Sequence, residues 1–416
     1  MKADYMTIKV NPNILAWARE TAGLSAAEAA IKLPFKTSKK STAAAKLQAI
    51  ESGEKSPTPS QLNHMANVYR RPLLTFYMKA PPRTGIRGTD FRQFPNNRAI
   101  RDNALLDALL RDVRTRQEMI RDMLVDENDF ETLDFVGSIG MNQGVAHAVD
   151  SISRVLRFDP LLERRGNADR LFKQLRGAAE TAGVFVLLMS NLGSHHSTIS
   201  AEVFRGFTIA DTVAPFVVIN AKDARAARAF TLIHELAHIF LGQTGVSGSP
   251  STGKPTTQHT RVEQFCNDIA GEFLLPRAKF LPHIEVIDSH DTDALCDTIK
   301  TIADQWSVSE PMVAYRLHRL NAINPNTYNI LKMESDNRWH QKLAQDRESK
   351  RRGFSPIRVK QSYLGNALLG VVQRYVRDDT LSHTKAATLL GSRPCAVEPL
   401  LKSFESKQKS FVSKEV

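Results

Sequence analysis

Cysteine is scarce in this chain: 416 residues carry three, Cys266, Cys296 and Cys395, scattered too widely for a disulfide framework. That excludes a small secreted scaffold and fits a reducing compartment. Long apolar runs are also missing. No stretch reaches the roughly 18–20 residues that a membrane span requires. The opening MKADYMTIKV lacks the apolar core of a secretory signal. The expectation is a soluble, cytoplasmic protein with no membrane partner. Acid is short relative to base, with 44 Asp and Glu against 56 Lys and Arg and a formal net charge of +12. Such an excess favours a polyanionic partner, nucleic acid above all. Hydrophobic residues are not lacking. At 42% they suffice for packed cores and are too many for a disordered chain, and the length suggests two to four domains.

The segmentation predicts an α+β protein. Residues 1–80 read as four short helices, punctuated by Gly23, a Ser25–Glu28 capping box, Gly53, and Pro57 with Pro59. A linker rich in Pro and Gly and a long amphipathic helix follow over 81–135, with Leu105, Leu106, Leu109, Val113, Ile120 and Leu124 at helical spacing. A core over 136–285 holds the strands VFVLLM, FRGFTI and APFVVIN and three helices, the first over NADRLFKQLRGAAETAGV; within it, 136–165 has no clear periodicity. Asp223 is expected to cap the helix ARAFTLIHELAHIFLG, and Gly242 to end it. A helical segment with a helix-turn-helix-like rhythm covers 286–335, and a basic helical region covers 336–416. There RESKRRGFSPIRVK reads as an exposed hinge, and the last twelve residues as a mobile tail.

FTLIHELAHIFLG is the segment that carries chemistry. His234 and His238 are four apart, hence on one helical face, where both imidazoles can reach one metal ion. Glu235 adjoins them, placed to take a proton from a metal-activated water and return it to a leaving amine. Their neighbours Leu232, Ile233, Leu236, Ala237, Ile239, Phe240 and Leu241 are apolar, so three polar groups there are costly unless a metal satisfies them. Zinc needs a third ligand. Glu263 is preferred over Glu272, which lies about 180° away on the same helix. The Glu263 face also carries Ala270 and Asn267, an amide able to orient a ligand histidine. APFVVIN offers an edge to which a peptide substrate could add. Cys266 reads as core. His195, His196, His259 and Arg205 are candidates for stabilising an oxyanion.

AEVFRGFTIADTVAPFVVINAKDARAARAFTLIHELAHIFLGQTGVS followed by VEQFCNDIAGEFLLP resembles the ImmA/IrrE family of metallopeptidases over about residues 180–280. The resemblance implies a zincin-like core, a small sheet plus the HExxH helix, with Zn2+ held by His234, His238 and Glu263. It also implies a protein substrate, often a helix-turn-helix repressor cut at one site. Residues 8–80 resemble an XRE-type helix-turn-helix, through LSAAEAAIKL and LQAIESGEKSPTPSQLNHMANVYRRPL. The helix from Ser41 to Ser52 would then enter the major groove, with Lys39, Lys40, Lys46, Gln48 and Lys55 placed to reach DNA. Residues 1–90 hold 14 Lys and Arg against 6 Asp and Glu. The long connection PFKTSKKSTAAAK and the Ala-rich reading helix depart from that pattern and leave protein docking open. The function expected is a regulatory zinc endopeptidase. The alternatives are a DNA-binding regulator with a sensory or vestigial metal site, and an antitoxin-like module. Tyr69, Phe76 and Tyr77 are expected in the core.

Overall fold

The computed structural model describes residues 9–35, 41–82, 89–90, 100–162, 167–193, 197–247, 257–284, 292–348 and 355–415. The chain forms two compact units, one of residues 1–87, 94–113 and 194–199, the other of 88–93, 114–193 and 200–416. The first contains α1 (Pro12–Thr21), α2 (Ala26–Lys32), α3 (Ala43–Glu51), α4 (Pro59–Tyr69) and a 3-10 turn, Leu73–Tyr77. Its helix starts follow local side-chain chemistry. Ser25 and Glu28 form their capping box, Thr42 caps α3, and Thr58 with Gln61 forms a second box ahead of α4. Ile14, Leu15, Leu47, Met65, Tyr69 and Phe76 make its core, against which Tyr77 packs half-buried. Arg19 ties α1 to α3 by donating to Glu51 at 2.9 Å.

A long helix, α5 (Ile100–Asp126), contributes to both units, and the six apolar residues spaced along it are buried. The second unit continues with α6 (Gly144–Leu156) and α7 (Ala168–Thr181) and is built on a five-stranded sheet. The strands are β1 (Thr89–Asp90), β2 (Phe185–Met189), β3 (Gly206–Ile209), β4 (Phe216–Asn220) and β5 (Gly245–Ser247), in the order β1-β5-β3-β4-β2. β2 lies parallel to β4, β3 antiparallel to both β4 and β5, and β1 parallel to β5. Helices α8 (Arg228–Phe240), α9 (Gln258–Leu274), α10 (Arg277–Ile284), α11 (Thr292–Trp306), α12 (Glu310–Arg319) and α13 (Pro325–Glu348) follow. The chain ends in α14 (Pro356–Leu364), α15 (Asn366–Arg377), α16 (His383–Leu390) and α17 (Pro394–Glu415). The molecule is mixed α+β and mostly helical. Among the described residues no helix is long and apolar enough to cross a membrane.

Three expectations are corrected. APFVVIN does not offer a free edge: β4 is bonded on both sides, and all five of its residues are buried. A strand apolar on both faces is stable in the middle of a sheet and costly at its rim. Asp223 does not cap α8. A 3-10 turn, Arg225–Ala227, intervenes; Asp223 accepts from the Ala224 N–H at 2.9 Å and the Thr231 hydroxyl at 3.3 Å, bracing the turn instead. The tail beyond Ser406 continues α17 as helix to Glu415. Within the unclear segment 136–165, a 3-10 turn at Met141–Gln143 leads into α6. The hinge expected around RESKRRGFSPIRVK falls in part on 349–354, outside the described residues.

The C-terminal helices join the sheet through a buried pair. On α7, Arg176 donates to Glu180 at 3.1 Å, to the Ser362 carbonyl at 2.5 Å and to the Val186 carbonyl of β2. Glu180 in turn accepts the Asn366 N–H at 3.1 Å, at the start of α15. Gly365 turns the chain between α14 and α15 at φ 80° and ψ 167°, a region that only glycine occupies freely. A Cβ there would meet Glu180 and Arg176. Gly365→Ala should therefore destabilise this unit by about 1–3 kcal/mol from backbone strain, with the clash adding to it. Thermal unfolding measures this; an unchanged midpoint would show that the turn is not under this constraint.

Candidate metal centre

Helix α8 is apolar on every side, and its residues from Thr231 to Phe240 are all buried. It ends as its sequence requires, with Gly242 at φ 67° and the Gln243 N–H bonded back to the His238 carbonyl at 2.9 Å. Within this helix His234, Glu235 and His238 are exposed by only 4%, 0% and 0%. The one-turn spacing brings the two imidazoles together, with Nε2 atoms 3.1 Å apart. Helix α9 packs across α8 and delivers Glu263, whose carboxylate oxygens lie 2.9 Å from His238 Nε2 and 3.5 Å from His234 Nε2. One ligand atom from each of the three residues thus lies within 4.8 Å of the other two, close enough to hold a metal ion together. Small residues permit the approach: Cys266 and Ala270 of α9 are fully buried, and Cys266 is core, as expected.

The electrostatics follow from burial and proximity. Burial alone would raise the Glu263 carboxyl, but His234 and His238 outweigh it and hold it down at about 2. Burial pushes His234 toward the neutral form, and Glu263 more than offsets that, leaving it raised. Asn267, one turn beyond Glu263, is buried and interacts with His234. At Glu235 burial wins: His234, His238 and the Thr208 hydroxyl lower the carboxyl, but not enough, and it stays above the usual carboxylate range. Its Oε2 accepts a hydrogen bond from the Thr208 hydroxyl of β3 at 2.8 Å, while Oε1 has no hydrogen-bond partner. On β5, the Ser247 hydroxyl lies 3.4 Å from His238 Nε2.

Glu272 is elsewhere. It binds the Arg316 guanidinium and accepts the Arg277 N–H at 3.0 Å, a structural role on the opposite side of α9. Of the oxyanion candidates, Arg205 lines the cleft beside the centre, 3.5 Å from Asp223. His259 is exposed at the start of α9, and His195 and His196 lie outside the described residues. Among the DNA candidates, Gln48 and Lys55 are exposed, Lys46 is half-buried, and Lys39 and Lys40 fall outside the described residues. Sequence reasoning missed Gly206, Thr208, and the far wall of the cleft, formed by Met312, Tyr315, Tyr328 and Lys332 of α12 and α13. A signal existed for the first two: alternation along FRGFTI puts residues 206 and 208 on one face of β3. The cleft has a volume of about 630 Å³, including its opening to solvent.

A buried His-His-Glu cluster on two crossed helices beside a small mixed sheet defines a metallopeptidase-type domain. Residues 179–318, about a third of the chain, match the peptidase M78 family model, described as an IrrE N-terminal-like domain. No curated protein and no solved structure matches the chain.

The geometry separates ligand from scaffold. Glu263→Ala should abolish binding of a divalent ion. Asn267→Ala should weaken it by about 10–100-fold, as losing a residue that orients a ligand does. Glu272→Ala should keep the metal but lower the unfolding temperature, because Arg316 loses its carboxylate. Metal content of the purified variants decides: a metal-free Glu272→Ala beside a loaded Glu263→Ala would reverse the assignment.

Proposed function

We propose that the chain is a zinc-dependent endopeptidase of restricted, regulatory specificity, with Glu235 as general base. The observation that carries this is the ligand triangle. A tetrahedral ion with bonds of about 2.0–2.1 Å holds its ligand atoms about 3.3 Å apart. Here the two imidazole Nε2 atoms are 3.1 Å apart, Glu263 Oε1 lies 2.9 Å from His238 Nε2, and Glu263 Oε2 lies 3.5 Å from His234 Nε2. Two imidazoles and one carboxylate are also a donor set that catalytic zinc uses with its fourth position open. Zinc held there supplies Lewis acidity to a water and to the scissile carbonyl.

The chain's own groups do the rest. Glu235 faces the cleft, with Oε2 engaged by Thr208 and Oε1 left to accept the proton of the attacking water. Its raised carboxyl makes it a stronger base than an exposed glutamate and then an acid able to hand the proton to the leaving amine. The cleft wall from Phe230, Met312, Tyr315 and Tyr328 gives apolar surface to a substrate side chain, and Arg205 and Lys332 bring cations to its lining. A protein substrate such as a helix-turn-helix repressor is the class that the family resemblance supports.

Glu235→Gln tests the chemistry. It should fold and bind zinc as the unaltered protein does, yet lose cleavage by at least about 10²-fold. Substrates are found by comparing new peptide N-termini in cells carrying either form. If both forms generate the same new termini, the peptidase reading fails and a sensory or vestigial site takes its place.

We also infer that the N-terminal unit binds DNA. Its support is the basic excess of residues 1–90 and the exposure of Gln48 and Lys55 on and just after α3. Binding of duplex DNA by the full chain should fall steeply with salt as counterions are released. Gln48→Ala should weaken specific more than nonspecific binding. A flat salt response would indicate a protein-docking module instead.

A further inference from the structure

We propose that Gly206 and Thr208 of β3 form a cradle that fixes the Glu235 carboxylate in its working orientation; the inference deepens the peptidase reading above and rests on it for its catalytic part. Both residues lie on the face of β3 that meets α8, two positions apart on a strand whose side chains alternate. They act on the two carboxylate oxygens separately.

Thr208 is 1% exposed, and its hydroxyl lies 2.8 Å from Glu235 Oε2 and 3.1 Å from the Glu235 carbonyl oxygen. A hydroxyl has one proton to give. The shorter contact, to a charged acceptor, takes it, since hydrogen bonds to ionised groups are the stronger ones. That bond pins Oε2 and stops rotation about the last side-chain torsion, a broad and weakly restrained one for glutamate. Gly206 acts by having no side chain. A Cβ at 206 would stand 2.4 Å from Oε1 and 2.8 Å from the carboxyl carbon, far inside van der Waals contact. No flexible end of a side chain can yield there, because the carboxylate is fully buried. The backbone of β3 at Gly206 pairs with Ile219 on one side and Ser247 on the other, so the strand cannot retreat either. Oε1 therefore occupies space that only glycine leaves, with no partner of its own, and becomes the oxygen free to accept a proton. Gly206 and Thr208 are positioning residues. Their effect passes through Glu235, and a displacement of about 1 Å at such a group can cost about 10²-fold in rate.

Two measurements test the cradle, the first without any activity. In the metal-free protein, Gly206→Ala and Thr208→Val should each lower the unfolding temperature. In a Glu235→Ala background the same changes should cost much less, because the clash and the lost hydrogen bond both need the carboxylate. Equal losses in the two backgrounds would overturn the proposal. The second uses the zinc-loaded enzyme and a peptide spanning the cleavage site found with the Glu235→Gln comparison. Thr208→Val should lower kcat at least about tenfold with KM and zinc content nearly unchanged, and Thr208→Ser, which keeps the hydroxyl, should recover most of it. A Thr208→Val enzyme with unaltered kcat would overturn the positioning role even if the stabilities are coupled. Should Glu235→Gln itself retain cleavage, the peptidase reading falls alone, and the unfolding temperatures still decide whether the cradle exists.

Discussion

Everything in the second unit answers to the burial of three ionisable groups inside one apolar helix. His234, Glu235 and His238 are surrounded by Leu232, Ile233, Leu236, Ala237 and Ile239, all closed to solvent. Unpaired, each would carry a penalty of several kcal/mol. The fold answers the histidines with a carboxylate from a second helix, and the glutamate with a hydroxyl from a strand. Both answers require backbones to come close, which is why small residues recur where α8 meets its neighbours: Cys266 and Ala270 on α9, Gly206 on β3. The pairing leaves a residue of imbalance. Glu263 ends strongly acidic between two imidazoles, while the fully buried Glu235, next to His234 in the chain, stays hard to ionise. One buried site thus holds two carboxylates pushed in opposite directions, because their surroundings differ.

The part of this that local spacing encodes was legible. His234 and His238 share a face whatever surrounds them, so the i, i+4 pattern was enough. The choice of Glu263 over Glu272 followed from helical angle, and the geometry bears on it from both ends: one residue meets the histidines, the other an arginine. The cap at Ser25 was legible for the same reason, since its chemistry is complete within four residues. What was not legible depends on partners distant in sequence. The apolar run of β4 does not say which strands flank it, and the order places β3 on one side and β2 on the other. Asp223 has the right identity for a helix cap, but its carboxylate also meets Arg205 on a different element, and the helix starts later. The cleft wall from α12 and α13 lies some 75–100 residues beyond the histidines, with nothing local to announce it.

The region beyond α13 has a physical role that its composition hides. Its basic excess by itself would suit a solvated surface. Its helices instead reach the sheet through α14, which packs on β2, and α15, which packs on α7. Leu364, Leu368, Leu369 and Val372 are buried there. The charges lie on the outward faces of amphipathic helices, so a net basic sequence and a packed one are compatible. Arg116 of α5 adds a second tie, donating to the Leu389 carbonyl at 3.2 Å.

Those ties bear on the metal centre through β2. The strand pairs along its whole length with β4, β4 pairs with β3, and β3 carries Gly206 and Thr208 against Glu235. A sheet of this size is held by what covers it, because few strands bury too little apolar surface alone. Covering β2 with the C-terminal helices completes the support of the strands on which Glu235 rests. The family match ends at residue 318, yet the sheet within it is covered partly by helices after 355. A chain cut just after the matched segment would keep every metal ligand and lose the cover of β2, so the ligands and the structure that holds them still are encoded in different parts of the sequence.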